Sequence, residues 1–229
     1  MKLHHLHEWV LSPTQGIEIQ RSLARRVSSQ SQIDSPRLIA GVDISPLDAN
    51  GVGTSAVVVV SYPDLKPVEI QTAQQKVEFP YVPGLLSFRE APLILAAFEK
   101  LASTPDLILV DGQGVAHPRR FGLASHLGVL LDWPTIGCAK SRLCGKHNVL
   151  QGKAGECAQL LDHDEVIGVA LCTKDGTNPL YVSIGHKVDL SSAVHWTLQC
   201  CRGKRIPEPL RLAHLAAGGK LEDVMRRVA

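Results

Sequence analysis

Asp106-Leu-Ile-Leu-Val-Asp111-Gly-Gln-Gly-Val-Ala-His117-Pro-Arg-Arg120 is the stretch on which the fold turns. Four consecutive apolar residues, Leu107 to Val110, are rich in branched side chains and fit a strand buried on both faces. The strand ends on a carboxylate, followed at once by Gly112 and Gly114, then by a histidine and two arginines. Burial alone gives no use for an acid at the tip, glycine-exposed backbone and adjoining cations. A divalent metal held against a phosphate uses all three.

Working outward, the spacing predicts a helix from Ser12-Pro13 to about Val27, with serine as cap and proline at the first helical position. Residues 28–36 form a polar linker. Arg37 to Ser45 is a buried strand carrying Asp43 near its end, and Thr54 to Tyr62 is a second strand. Pro67 to Val77 alternates as a third, half-exposed strand, so an antiparallel meander is expected. Two prolines make Pro80-Tyr81-Val82-Pro83-Gly84 a stiff loop with an aromatic in its middle. A helix follows from Ser87 to about Leu101, then the strand quoted above, a short helix over Phe121 to Leu131 and a buried strand over Pro134 to Cys138. Asn148 to Asp164 is polar and reads as loop with a weak helical turn. Val166 to Cys172 and Leu180 to Gly185 are strands joined by a hairpin loop at 174–179. Helices are expected over Leu190 to Cys201, capped by Ser191 or Asp189, and over Glu208 to Ala217. The tail from 218 to 229 is expected to fray.

No repeat or linker divides the 229 residues, so one domain over 1–229 is expected. Three meandering strands, helix, strand, helix and strand form an α/β order, a mixed sheet flanked by helices. The ribonuclease H-like fold has this order and shares it with other α/β designs.

Hydrophobic content of 45% and charged content of 20% are those of a globular chain. Aromatics at 4% are too few for a broad base-stacking platform. The net charge of +2 is small, but it is unevenly spread. Arg119, Arg120, Lys140, Arg142 and Lys146 are opposed only by Asp132, and Arg202, Lys204, Arg205 and Arg211 only by Glu208. A basic face with a polyanionic partner is expected. The six cysteines form no Cys-x-x-Cys pair and read as free thiols of a reducing compartment, with the cytoplasm as default. The N-terminus lacks the apolar region of a signal peptide, and no apolar run is long enough to span a membrane.

Asp43 and Asp111 each stand at or near the end of an otherwise apolar strand. If those strands are parallel neighbours, both carboxylates emerge at one edge of the sheet, where Mg²⁺ or Mn²⁺ would reverse their repulsion. Either acid alone suits a turn or a helix cap. Glu90 admits two readings, because Ser87-x-x-Glu90 has the pattern of a capping box as well as a third ligand. His117 gains weight from its arginine neighbours, whereas His214 in Arg211-Leu-Ala-His214 has no local support. Lys140 is as well suited to solvent as to a phosphate.

Pro80-Tyr-Val-Pro-Gly-Leu-Leu-Ser-Phe-Arg-Glu90, the 106–120 stretch, Pro134-Thr-Ile-Gly-Cys-Ala-Lys140, Gly185-His186 and Arg211-Leu-Ala-His214 together resemble endonuclease V, in order and near the usual spacing. Gln113 stands where many members have His, and Cys138 where many have Val. The resemblance implies a ribonuclease H-like core and a Mg²⁺-dependent enzyme, with Mn²⁺ as substitute, probing DNA for deaminated purine. Chiefly at deoxyinosine, it would hydrolyse the second phosphodiester bond on the 3′ side. Inosine-containing RNA is the alternative substrate, and an inactive nucleic-acid-binding module the alternative class. Carried over, Asp43, Asp111 and Glu90 hold the metal and His214 assists there. Tyr81, between Pro80 and Pro83, is the wedge that fills the gap left by the lesion. His117 and Lys140 contact phosphates, and Gly84, Leu86 and Gly112 line the base pocket. A monomer with no membrane partner is expected.

Overall fold

A computed structural model of the chain describes residues 2–9, 12–220 and 222. Eight strands form one mixed sheet: β1 (Leu38–Ile44), β2 (Val52–Ser61), β3 (Pro67–Lys76), β4 (Leu107–Val110), β5 (Thr135–Ala139), β6 (Cys157–Asp162), β7 (Glu165–Leu171) and β8 (Leu180–His186). Five helices accompany them: α1 (Pro13–Leu23), α2 (Leu86–Phe98), α3 (Leu123–Leu131), α4 (Leu190–Gln199) and α5 (Glu208–Ala217). The sheet order is β3-β2-β1-β4-β5-β8-β7-β6. β1, β2 and β3 form the antiparallel meander; β4 and β5 then add in parallel to β1. That is the ribonuclease H-like order, extended by the antiparallel strands β8, β7 and β6.

Alternation along the central strands sorts the core into two layers, because successive side chains leave a strand on opposite faces. Ile39, Val58, Val60, Leu107 and Leu109 pack with Leu210, Leu212 and Ala213 of α5 and Ala193 and Trp196 of α4. Ala40, Val42, Val57, Val59, Ile108 and Val110 pack with α2 and α3. Gly41 lets α5 lie directly on β1, since a Cβ there would come within 2.1 Å of the Pro209 backbone. No helix among the described residues is long and apolar enough to cross a membrane, and all six cysteines are free.

Three expectations need correction. The segment 148–164 contains a strand, β6, where loop and weak helix were expected. It pairs with β7 at the sheet edge and buries only Leu160 fully, so its polar face hid the period of two. The Ser87–Glu90 capping box does not form. α2 starts one residue earlier, its N-cap Leu85 makes no side-chain cap bond, and Ser87 Oγ is buried without a hydrogen-bond partner. The caps of α1 and α4 are among those expected. Ser12 forms a full capping box with Gln15, and Asp189, rather than Ser191, caps α4 by accepting from the Ser192 N–H. α2 also ends earlier than expected, at Phe98, whereas a 3-10 turn over Ala24–Arg26 carries the first helix to its expected end. The tail beyond Lys220, Glu222 excepted, lies outside the described residues.

Candidate active site

β1 and β4 are parallel neighbours in a register that pairs Val42 with Val110. The next residue of each strand is an aspartate, and the Asp111 N–H donates to the Val42 carbonyl at 3.2 Å. Asp43 and Asp111 therefore leave the same edge of the sheet side by side, both largely buried. Asp43 continues the alternation of Ile39 and Gly41, which puts it on the α5 face. There His214 Nδ1 donates to Asp43 Oδ2 at 2.7 Å. From the end of β5, Lys140 forms an ion pair with Asp111, and its Nζ lies 3.9 Å from Asp43 Oδ2.

Glu90 approaches from α2, on the opposite layer. Burial, then the charges of Asp43 and Asp111, push its carboxyl up to about 8. Asp111 is raised too, by burial first and then by Asp43, with Lys140 and His214 pulling it back. Three acids thus share one field with too little positive charge to offset it. Among the described residues no three His, Cys, Asp or Glu side chains are gathered into a ready ligand cage. The Lys140 ammonium takes the place of a cation on Asp111. The set nevertheless fits a hard divalent ion in its chemistry: carboxylate oxygens, mutual repulsion that a cation reverses, and exposed space beside them.

Asp111 and Lys140 also line a cavity of about 420 Å³, together with Tyr81, Pro83, Gly84, Leu86, Gly112 and His117. Val82, Pro83, Gly84 and Leu85 have the residues and hydrogen bond of a type II turn. Leu85 N–H donates to the Val82 carbonyl at 2.9 Å, and Gly84 has φ +78°. Tyr81 is 74% exposed. The Arg89 guanidinium stands 5.9 Å from its ring centre and donates to the Phe79 carbonyl at 2.7 Å, bracing the loop from behind.

A family model described as Endonuclease V matches residues 21–215. The chain belongs to the endonuclease V family. It is therefore a nuclease, a hydrolase that cuts within a strand. The endonuclease V of Dehalococcoides mccartyi is 51% identical over 217 residues, which cover 95% of this chain and 97% of that one. The crystal structure of the Streptomyces avermitilis endonuclease V is 41% identical with a TM-score of 0.88, covering 95% of this chain and 96% of that one. The Ciona intestinalis endonuclease V, in complex with a 24mer DNA containing an inosine followed by a ribo-adenosine, is 28% identical with a TM-score of 0.80, covering 92% and 98%.

Within this endonuclease V fold the structure brings Asp43, Asp111, Lys140 and His214 together directly and couples Glu90 to them. The two residues expected to contact phosphates are engaged within the protein here. His117 is buried, its Nδ1 accepts from the Arg119 N–H at 3.1 Å, and its Nε2 donates to the Gly84 carbonyl at 2.9 Å. Burial, then Arg119, holds its imidazole down to about 4. A neutral ring with both nitrogens occupied supports the pocket wall and leaves nothing for a phosphate. Lys140 meets the carboxylates of Asp111 and Asp43.

The basic clusters are also largely engaged within the fold. Arg120 pairs with Asp162 and Glu165, Arg211 with Glu208, and Arg205 donates to the carbonyls of Lys140, Asn178 and Pro179. Gln113, where relatives often carry His, donates to the Ser141 carbonyl at 2.9 Å on the cavity rim.

Proposed function

We propose that the chain is a Mg²⁺-dependent repair endonuclease that recognises deaminated purine, chiefly deoxyinosine, in DNA. It hydrolyses the second phosphodiester bond on the 3′ side and leaves 5′-phosphate and 3′-hydroxyl ends. One observation carries this reading: a single cavity of about 420 Å³ is lined both by Asp111 and by the exposed Tyr81 loop. A volume in that range suits a small ligand such as an extruded base. The inosine-containing DNA bound by the Ciona relative supports the same lesion.

Asp43 and Asp111 are the metal ligands and Glu90 completes the acidic set, with Mn²⁺ able to substitute. The bound ion supplies charge neutralisation at the scissile phosphate and an activated water. Lys140, at the end of β5 beside Asp111, would contact the phosphate. His214, fixed through Nδ1 by Asp43, keeps Nε2 available for a proton or a water. Tyr81 fills the gap left by the base, and Gly84, Leu86 and Gly112 receive it. Pro80 and Pro83 limit the entropy that Tyr81 loses on insertion. A monomer in a reducing, cytoplasmic setting, with its thiols free, completes this reading.

Nicking of a 5′-labelled duplex with one deoxyinosine, against a matched guanine duplex, tests the reading. Cutting is expected only at inosine, one nucleotide beyond the lesion on its 3′ side, with Mg²⁺ and not with EDTA. Chelator-resistant cutting, or equal cutting of both duplexes, overturns it. A second reading, inosine-containing RNA, is favoured by the ribo-adenosine that follows inosine in the Ciona complex. Cutting of a matched RNA strand and not of DNA selects it. Tyr81→Ala is expected to reduce selectivity for inosine over guanine by tens-fold, roughly the ~2 kcal/mol of one base-aromatic stack, while the single-turnover rate on bound substrate changes little. Unchanged selectivity removes the wedge role.

A further inference from the structure

The N-terminal helix α1 lies almost wholly before the residues that match the family, yet its Gln20 is only 1% exposed and reaches the cavity. Its amide is fully used. Nε2 donates to the Gly84 carbonyl and to the Phe121 carbonyl, both at 3.0 Å, and Oε1 accepts from Arg119 Nε at 2.5 Å. Arg119 Nη2 reaches the same Gly84 carbonyl at 2.7 Å and His117 Nε2 reaches it at 2.9 Å. Three donors from two segments of the chain therefore converge on one oxygen. That oxygen belongs to the residue of the turn that needs φ > 0, one turn residue from Pro83 and three residues from Tyr81.

We propose that Gln20 is a positioning residue for lesion recognition. It ties α1 to the Pro83–Gly84 turn and fixes that part of the base cavity's lining. A peptide carbonyl held by three donors cannot rotate to accommodate a larger or differently bonded base, because any rotation leaves buried donors unpaired. Arg119 and His117 alone leave that carbonyl unanchored from the outside. Gln20 closes the set and also orients Arg119 through Oε1. The amide orientation is fixed by its partners, two carbonyls on one side and a guanidinium on the other. The inference rests on the inosine-directed reading above and names how this chain narrows its pocket to that base.

Gln20→Met keeps the length and apolar bulk of the side chain and removes all three hydrogen bonds. Gln20→Glu keeps the acceptor for Arg119 and turns both donations into contacts between oxygens. Steady-state nicking of inosine and guanine duplexes by the full chain measures the effect. In both variants the selectivity ratio, taken as the quotient of kcat/KM, is expected to fall roughly tenfold. The loss should appear as a higher KM for inosine DNA with kcat within about twofold of the parent. Leu23→Ala is the control: it loosens the packing of α1 on Phe121 and Val129 without touching the Gly84 carbonyl. It should lower the melting temperature and leave the selectivity ratio unchanged. A ratio within twofold of the parent in both Gln20 variants overturns the proposal, as does an equal fall in Leu23→Ala. Absence of inosine preference in the parent itself defeats the underlying functional reading, and the inference with it, before any variant is made.

Discussion

Asp111→Asn is expected to nick inosine-containing DNA about a thousandfold more slowly than the parent while binding it as tightly or tighter. The substitution keeps shape and removes charge at the point where β4 hands the chain to the catalytic edge. Lewis-acid assistance at a phosphate contributes several kcal/mol of transition-state stabilisation, and each ~1.4 kcal/mol is a factor of ten in rate. Binding is spared because the Asp111 carboxylate repels the phosphate when no cation lies between them. Removing it also releases the Lys140 ammonium toward the DNA. The fold is spared because the Asp111 carboxyl is already raised by its burial and by Asp43, so an uncharged amide is no worse guest there. Single-turnover nicking and gel-shift affinity on one inosine duplex check both halves. Nicking within tenfold of the parent removes Asp111 from the reacting centre. Equal losses of cutting and binding make it a residue of the fold or of the interface.

The strands that present this edge were legible because they are buried on both faces. Leu107 to Val110 and Leu38 to Val42 announce themselves by largely apolar runs, and an acid follows directly at the end of each. The parallel pairing that sets Asp43 beside Asp111 could be stated only as a condition, since register is a property of two strands and neither carries it alone. Glu90 was ambiguous for a local reason: Ser87-x-x-Glu90 spells a cap, and only burial of the Ser87 hydroxyl inside the helix shows that no cap forms. His214 had no neighbours in sequence to recommend it. Its partner is Asp43, 171 residues away, and the meeting depends on Gly41 letting α5 settle onto β1.

β6 and Gln20 were hidden for opposite reasons. β6 is an edge strand whose exposed residues dilute its alternation, and Gln20 is a buried polar residue on a helix whose apolar pattern gave no reason to bury it. The arginine clusters misled by composition. A count of cations registers charge but not the carbonyls and carboxylates that already occupy it, as they do for Arg120, Arg205 and Arg211. Few free cations remain near the cavity, and Arg142 on its rim makes no ion pair among the described residues.

Glu90→Gln should raise the melting temperature of the metal-free protein at pH 9 by ~5 °C and leave it unchanged near pH 4. The sign follows from the carboxyl being raised from 4.5 to about 8 in the folded chain. Between those values the folded state keeps a proton that the unfolded state has released. Stability therefore falls as pH rises through that window and stays low above it. Glutamine carries the neutral form at every pH, so the gap between variant and parent opens above 4.5 and levels off beyond about 8. The full shift is discounted for the partial exposure of Glu90 to ~2 kcal/mol, and at this chain length ~1 kcal/mol moves the melting temperature by ~2–4 °C. Saturating Mg²⁺ or Mn²⁺ should reverse the order, because binding to the folded state alone stabilises it and the parent has the more complete carboxylate set. Melting curves at pH 4 and pH 9, each with EDTA and with the cation, separate the possibilities without any activity assay. A gap that ignores pH means that Glu90 is not desolvated beside Asp43 and Asp111. A gap that follows pH but does not reverse with the cation keeps Glu90 in the field of those acids and takes it out of the ligand set.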